Sequence, residues 1–369
     1  MNASFLKSNL LSKRCILVCG GGGVGKTTMA AALALAATQV RSRVLVVTID
    51  PAKRLAEAFG YSMQELEGGQ PKLLSPEVAA ALGVPTTSSL SVGLLNPKYV
   101  LNEILQNVLN ADQRQKLAQT LLYSQLSEMI YGLQEYTAYE WVTRMLNENQ
   151  YDLIVLDTPP AFHAKDFFTA PEKIMRLMES KVFQLFSPKK SSWMGTILSS
   201  GFVTQSFGWI EKLLGARIYQ ESHVFFETFV SMRDRILSRC QNLSQFFSNQ
   251  EVEVITVTTP ESSALHELEG LIRFLNGRTI PVHTIVVNQM EPPVSSAEDL
   301  ELQADLSEEL KVKLNQLIQF RQKKYQHGLQ VLSILKETHA SIEILPIQTS
   351  YAGGNGFDLL RSIRDQIPT

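Results

Sequence analysis

Cysteine is scarce in this chain, with three residues in 369. Cys15 and Cys19 share one strand-like run, roughly 13 Å apart at about 3.3 Å per residue, too far to be bridged. Cys240 is remote in sequence. That usage excludes a disulfide framework and a C-x-x-C zinc site, and it fits a reducing cytoplasm. An excess of positive charge is missing as well. Lys and Arg total 34 against 36 Asp and Glu, a net charge of −2, which gives no general attraction to nucleic acid. No uninterrupted apolar run reaches the ~18 residues of a membrane span. The amino-terminal stretch carries Lys7, Lys13 and Arg14 but no apolar run ending in a small-residue cleavage site, so no signal peptide is expected. Internal repeats are absent too. Apolar residues, in contrast, make up 44% of the chain, enough for the core of one large domain or two ordinary ones.

The richest segment lies near the amino terminus. Residues 14–30 read Arg-Cys-Ile-Leu-Val-Cys-Gly-Gly-Gly-Gly-Val-Gly-Lys-Thr-Thr-Met-Ala. Gly20, Gly25, Lys26 and Thr27 fit the phosphate-binding pattern G-x-x-x-x-G-K-[ST]. The context fits as well: residues 15–19 read as a buried strand and residues 27–38 as an Ala/Leu-rich helix. Glycines let the backbone wrap a phosphate closely with its N–H groups pointing inward. A helix N-terminus adds partial positive charge, Lys26 a full one, and the Thr27 hydroxyl a ligand for Mg²⁺. The pattern implies a nucleoside triphosphate.

Short apolar, β-branched runs recur at residues 16–18, 44–49, 90–95, 153–156, 252–257, 284–287 and 342–345. Most are continuous rather than alternating, as in strands covered on both faces, and helical patterns fall between them. The expected fold is therefore α/β, a doubly wound, mostly parallel sheet of about seven or eight strands, with its ligand at the carboxyl ends. Residues 96–150 and 163–249 are too long for simple crossovers. They are expected to form a helical subdomain inserted in a single nucleotide-binding domain, with one helix over residues 123–147. Residues 291–309 read as an exposed loop leading into a helix.

Three further segments fit around the phosphate loop. Asp50 follows the second strand, and Asp157 follows a later one in the run Asp157-Thr158-Pro159-Pro160. A carboxylate at a strand tip can hold Mg²⁺ through its waters or orient an attacking water. Val287-Asn288-Gln289 ends a strand in an amide that can read a base edge.

Taken together, these motifs resemble those of the ArsA-type anion-transporting ATPase family, which includes the GET-pathway ATPase that targets tail-anchored membrane proteins. That family's loop reads G-K-G-G-V-G-K-T-T; Gly20, Gly21, Gly22, Gly23, Val24, Gly25, Lys26, Thr27 and Thr28 match it at every position but one. Its first switch, D-P-A-H, resembles Asp50-Pro51-Ala52-Lys53. Its second, D-T-A-P-T-G-H, resembles Asp157-Thr158-Pro159-Pro160-Ala161-Phe162-His163. Its adenine-contacting V-N-Q matches Val287-Asn288-Gln289, and Gly132-Leu133-Gln134-Glu135-Tyr136 looks like the bacterial branch. The likeness runs from about residue 14 to the carboxyl terminus, loosest in residues 165–250 and 291–340.

The resemblance implies an ATPase that uses ATP and Mg²⁺. It makes Lys26 the holder of the β/γ-phosphates and Asp50 the group that orients the attacking water. Mg²⁺ falls to Thr27, with Asp50 and Asp157 around it. Adenine falls to Asn288 and to backbone in the loop after Pro346. Asp157, Pro160 and His163 become the switch that senses the γ-phosphate. It further implies a cytoplasmic, nucleotide-switched dimer handling a hydrophobic client or a membrane-protein partner, with the Phe- and Met-rich residues 183–232 as candidate surface. Two departures stand out. Gly21 occupies the place of the family's signature lysine, which reaches across the dimer, so slow turnover as a homodimer, a lysine-bearing paralogue as partner, or a substitute cation at Lys53 or Arg54 are all open. The zinc-binding C-x-x-C of eukaryotic members is absent, so no zinc-clamped dimer is expected. A metalloid pump subunit and a MinD/ParA-like positioning ATPase are the alternative readings.

Overall fold

The computed structural model describes residues 5–49, 54–66, 69–111, 115, 133–159, 161–179, 233–242, 246, 250–293, 307–351 and 356–369. Its elements run α1 (Phe5–Ser12), β1 (Cys15–Gly20), α2 (Lys26–Ala37), β2 (Arg43–Thr48), α3 (Arg54–Ala58), α4 (Met63–Leu66), β3 (Lys72–Leu73), α5 (Pro76–Leu82) and β4 (Ser89–Leu94). They continue with α6 (Pro97–Val108), α7 (Leu133–Asn147), β5 (Leu153–Asp157), α8 (Ala161–Glu179), β6 (Val252–Thr258), α9 (Ser262–Asn276), β7 (Val282–Met290), α10 (Glu308–Thr338), β8 (Glu343–Gln348) and α11 (Gly356–Arg364).

The strands form one sheet in the order β3-β4-β2-β5-β1-β6-β7-β8. All pairs are parallel except β3 with β4. The fold is thus the α/β, mostly parallel sheet expected from the continuous apolar runs. β3 gave no sequence signal because it has two residues, both exposed. The central strands β1, β5 and β6 are buried along their whole length, as helices on both faces require. At the sheet edge, β8 carries Pro346, whose missing N–H is tolerated there.

The chain divides into two compact units: residues 1–94, 145–165 and 248–369 form one, and residues 95–144 and 166–247 the other. In the first, α2 packs its alanines and leucines into a core with Ile16, Val18, Val46, Val155 and, from α11, Leu360 and Ile363. A satellite cluster joins Leu268 and Ile272 of α9 to Ile285 and Val287 of β7 and to Val331, Leu332 and Leu335 of α10. In the second unit, Tyr139 of α7 stacks on Phe167 of α8 at 4.4 Å, with Phe246 edge-on to Tyr139. An ion pair between Arg144 and Glu103 ties α7 to α6.

Local signals explain several boundaries. Ser75 and Asn96 cap α5 and α6 with side-chain oxygens, and Pro76 and Pro97 follow at the first helical position, where proline lacks only an N–H that the helix cannot use. Ser307 caps α10 in the same way. The helix expected over residues 123–147 is seen from Leu133; its first part lies outside the described residues, as does the whole of the Phe- and Met-rich segment 183–232. Glu291, which opens the stretch expected to be an exposed loop, is instead buried. Among the described residues no helix is long and apolar enough to cross a membrane.

Candidate functional site

β1 delivers the chain into the glycine loop from the middle of the sheet, and β6 runs beside it, with Gly20 opposite Val257. A Cβ on Gly20 would lie 2.2 Å from the Val257 carbonyl oxygen, so only glycine lets the loop leave the strand there. Gly25 has φ of 87°, and a Cβ on it would lie 2.4 Å from Asn288 Nδ2; the left-handed backbone and the close approach both call for glycine. Above Gly22 and Gly23, by contrast, an added Cβ would meet nothing within 4 Å. That face of the loop is open. α2 begins directly behind it with no side-chain cap, which leaves its first N–H groups to an anion.

Lys26 is 8% exposed, and its ammonium donates to the Gly21 carbonyl at 2.6 Å. A positive charge is thereby held at the rim of the open loop. Val24 is buried under the loop, and Thr28 is half-buried in the first turn of α2.

The second group of residues comes from the strands flanking β1. β5 lies between β1 and β2, with Asp157 opposite Val18 on one side and Thr48 on the other. Asp157 is 1% exposed. Its Oδ2 accepts from the Thr27 hydroxyl at 2.8 Å and from the Thr48 hydroxyl at 2.9 Å. Thr158 donates to the Val18 carbonyl and so pins the exit of β5 against β1. The donor set is hard oxygen only, a carboxylate with two hydroxyls, which suits Mg²⁺ rather than a soft metal. Thr27 and Asp157 are the residues of this set that can hold the ion, beside a loop shaped for phosphate.

The third group lies at the end of β7. Asn288 is buried, and its amide donates to the Val24 carbonyl at 2.9 Å; Gln289 reaches the Gly23 carbonyl at 3.4 Å. The predicted base-contacting run is therefore docked on the phosphate loop itself. Pro346 sits opposite Val287 in register, and its side chain is exposed. Asp50 and Pro160 lie outside the described residues, and so does the side chain of His163, whose backbone belongs to the first turn of α8. Asp50 comes two residues after Thr48, just beyond Ile49, whose N–H donates to the Asp157 carbonyl at 3.3 Å.

Sequence reasoning missed Thr48, Glu267, Arg321 and Tyr351 of this neighbourhood. Thr48 carried a signal, since a hydroxyl at the tip of an otherwise apolar strand needs a partner. Glu267 of α9 carried none: its Oε2 would lie 2.4 Å from a Cβ on Gly21. Beyond Asn288, the buried Glu291 accepts from Arg321 of α10 through one oxygen and from the Tyr351 hydroxyl at 2.7 Å through the other. The Arg321 guanidinium also lies over the Tyr351 ring, 4.2 Å from its centre. The hydrogen bond to Glu291, with burial and the carboxylate charge behind it, raises the Tyr351 hydroxyl above the usual phenol range. Cys15 and Cys19 are buried in β1, and burial pushes both thiols up to about 12.

Comparison with known proteins bears on this geometry. A family model described as anion-transporting ATPase matches residues 13–324. ATPase get3 of Aspergillus terreus is 28% identical over 297 residues, covering 79% of this chain and 77% of that protein. ATPase ASNA1 homolog 2 of Paramecium tetraurelia is 27% identical over 283 residues, 76% of each chain. ATPase get3 of Schizosaccharomyces pombe is 26% identical over 280 residues, 76% of this chain and 74% of that protein.

Proposed function

This chain belongs to the anion-transporting ATPase family and is an ATPase; from that premise we propose that it hydrolyses ATP with Mg²⁺ at the loop of residues 20–28. The observation that carries the reading is the convergence of Lys26, Thr27, Thr48 and Asp157 at the carboxyl ends of three adjacent strands. Mg²⁺, when bound, supplies charge neutralisation on the phosphates. Thr27 would hold it through its hydroxyl and Asp157 through its waters, with Asp50 beside them. Lys26 brings a charge to the β/γ-phosphates. Asp50 orients water and takes its proton as the new bond to the γ-phosphorus forms; the bond to the bridging oxygen breaks, leaving ADP and phosphate. Asn288 and the backbone after Pro346 receive the adenine, while Pro160 and His163 belong to the γ-phosphate switch.

Turnover is slow in a homodimer on this account, because Gly21 offers only a backbone N–H where the family carries a lysine. Glu267 beside Gly21 supports a lysine-bearing partner, whose cation it would complement. The client is a hydrophobic segment or membrane protein, a reading that rests on family resemblance and on the Phe- and Met-rich residues 183–232. Three unbridged cysteines support a cytoplasmic location. Metalloid transport finds little support, since arsenite needs clustered thiolates and burial pushes the thiols of β1 up to about 12.

Two measurements test this reading. Asp50→Asn should bind ATP–Mg²⁺ in a calorimetric titration but lose single-turnover hydrolysis by roughly 100-fold or more; hydrolysis at the parental rate removes Asp50 from its role. Hydrogen exchange over residues 183–232 should differ between ADP and a non-hydrolysable ATP analogue. Identical exchange in both states would remove the nucleotide-switched client surface.

A further inference from the structure

The cluster at the end of β7 goes beyond phosphate chemistry. Glu291 stands two residues past Gln289, on the carboxyl end of a strand whose Asn288 and Gln289 already rest on the phosphate loop. Ligands of open α/β sheets bind outside those carboxyl ends. Thr349 donates from its N–H to the Met290 carbonyl, which brings the exit of β8, and with it Tyr351, alongside. The third member arrives on α10. Gly328 lets that helix come so close to β7 that a Cβ there would lie 2.7 Å from Met290 Cε. Arg321 is seven residues earlier, two turns along the same face, and so reaches Glu291.

A free carboxylate at this place would be a guanine reader. Its two oxygens accept in parallel from the ring N–H and the exocyclic amine of guanine, whereas adenine presents an acceptor and one amine on that edge. Here both oxygens are already engaged, Oε1 accepting from Arg321 and Oε2 from Tyr351, which leaves a guanine edge only their remaining lone pairs in competition with a charged donor. The Arg321 charge also offsets the Glu291 charge inside a buried position. Resting on the nucleotide-binding reading above, we infer that the Glu291–Arg321–Tyr351 cluster sets base selectivity, withholding the Glu291 carboxylate from guanine and thereby favouring ATP.

Competition of unlabelled GTP against labelled ATP, both with Mg²⁺, on the full chain tests the inference. The parent should prefer ATP. Arg321→Met frees one oxygen of Glu291 and should shift the ATP:GTP affinity ratio toward GTP by about 10-fold, the scale of a charged hydrogen bond. Adding Glu291→Gln to that variant removes the carboxylate and should restore the parental ratio. Tyr351→Phe, at an exposed side chain, should shift the ratio the same way by about 3-fold, and it carries the test if Arg321→Met fails to fold. A ratio within twofold of the parent in these variants, or an equal loss of both nucleotides, overturns the inference and leaves nucleotide binding intact. A shift that survives Glu291→Gln overturns it as well. A parent that binds neither nucleotide overturns both readings.

Discussion

α2 and α10 both belong to the sheet-bearing unit, and they are held in opposite ways. α2 buries ten of its twelve residues, from Lys26 to Ala37. α10 is 31 residues long and buries Gly328, Val331, Leu332 and Leu335. Much of the remainder is solvated: Leu310, Val312, Leu317 and Phe320 are each more than half exposed. The proposed phosphate end of the site therefore stands on an element packed on nearly every side. The proposed base end is reached by a side chain, Arg321, from the part of α10 that precedes the first buried residue. On the reading proposed above, packing holds the phosphate loop, and the base end is the part that single substitutions can adjust.

The comparison predicts a steep fall in the cost of mutation from one region to the other. Gly20→Ala should be the most damaging, by about 3 kcal/mol or more, because the new Cβ meets a backbone carbonyl of β6 that cannot turn aside. Urea unfolding measures it; a cost under about 1 kcal/mol would mean that the loop is not wedged between its strands as described. Within α10 the contrast repeats. Leu335→Ala, at 4% exposure, should cost roughly 2–5 kcal/mol, while Leu317→Ala, at 53%, should stay within about 0.5 kcal/mol. Equal costs at the two positions would show that the first turns of α10 are packed as tightly as the last.

How much of this could be read in the sequence depends on where each contact lies along the chain. The strand–glycine loop–helix unit is local: the proposed binding residues, the turn they need and the helix that follows occupy one continuous stretch from Cys15 to Ala37. Asp157 was legible because a carboxylate ending an apolar strand is conspicuous in a parallel sheet. Its two hydroxyl partners were not equally so. Thr27 was visible in the loop motif, but Thr48 acquires its role only when β2 and β5 are placed side by side, 109 residues apart in sequence. The Glu291 cluster was least legible. Its members come from β7, α10 and the exit of β8, and the acidic, proline-containing context of Glu291 suggests a solvated loop. Burial of that carboxylate depends on a cation 30 residues away, a pairing that no local pattern announces. The Gly21–Glu267 approach is hidden for the same reason, since a glycine gives no sign of what stands where its side chain would be.

The loop of residues 20–28, with Lys26 at its rim, is the proposed ATP site. A calorimetric titration of ATP–Mg²⁺ into the parent and into Lys26→Ala tests it most directly. The parent should give a saturable isotherm, and Lys26→Ala should lose roughly 100-fold or more in affinity, since it removes a charge and its donors from the phosphate cradle. Equal affinity in the two proteins would contradict the account and place the nucleotide elsewhere.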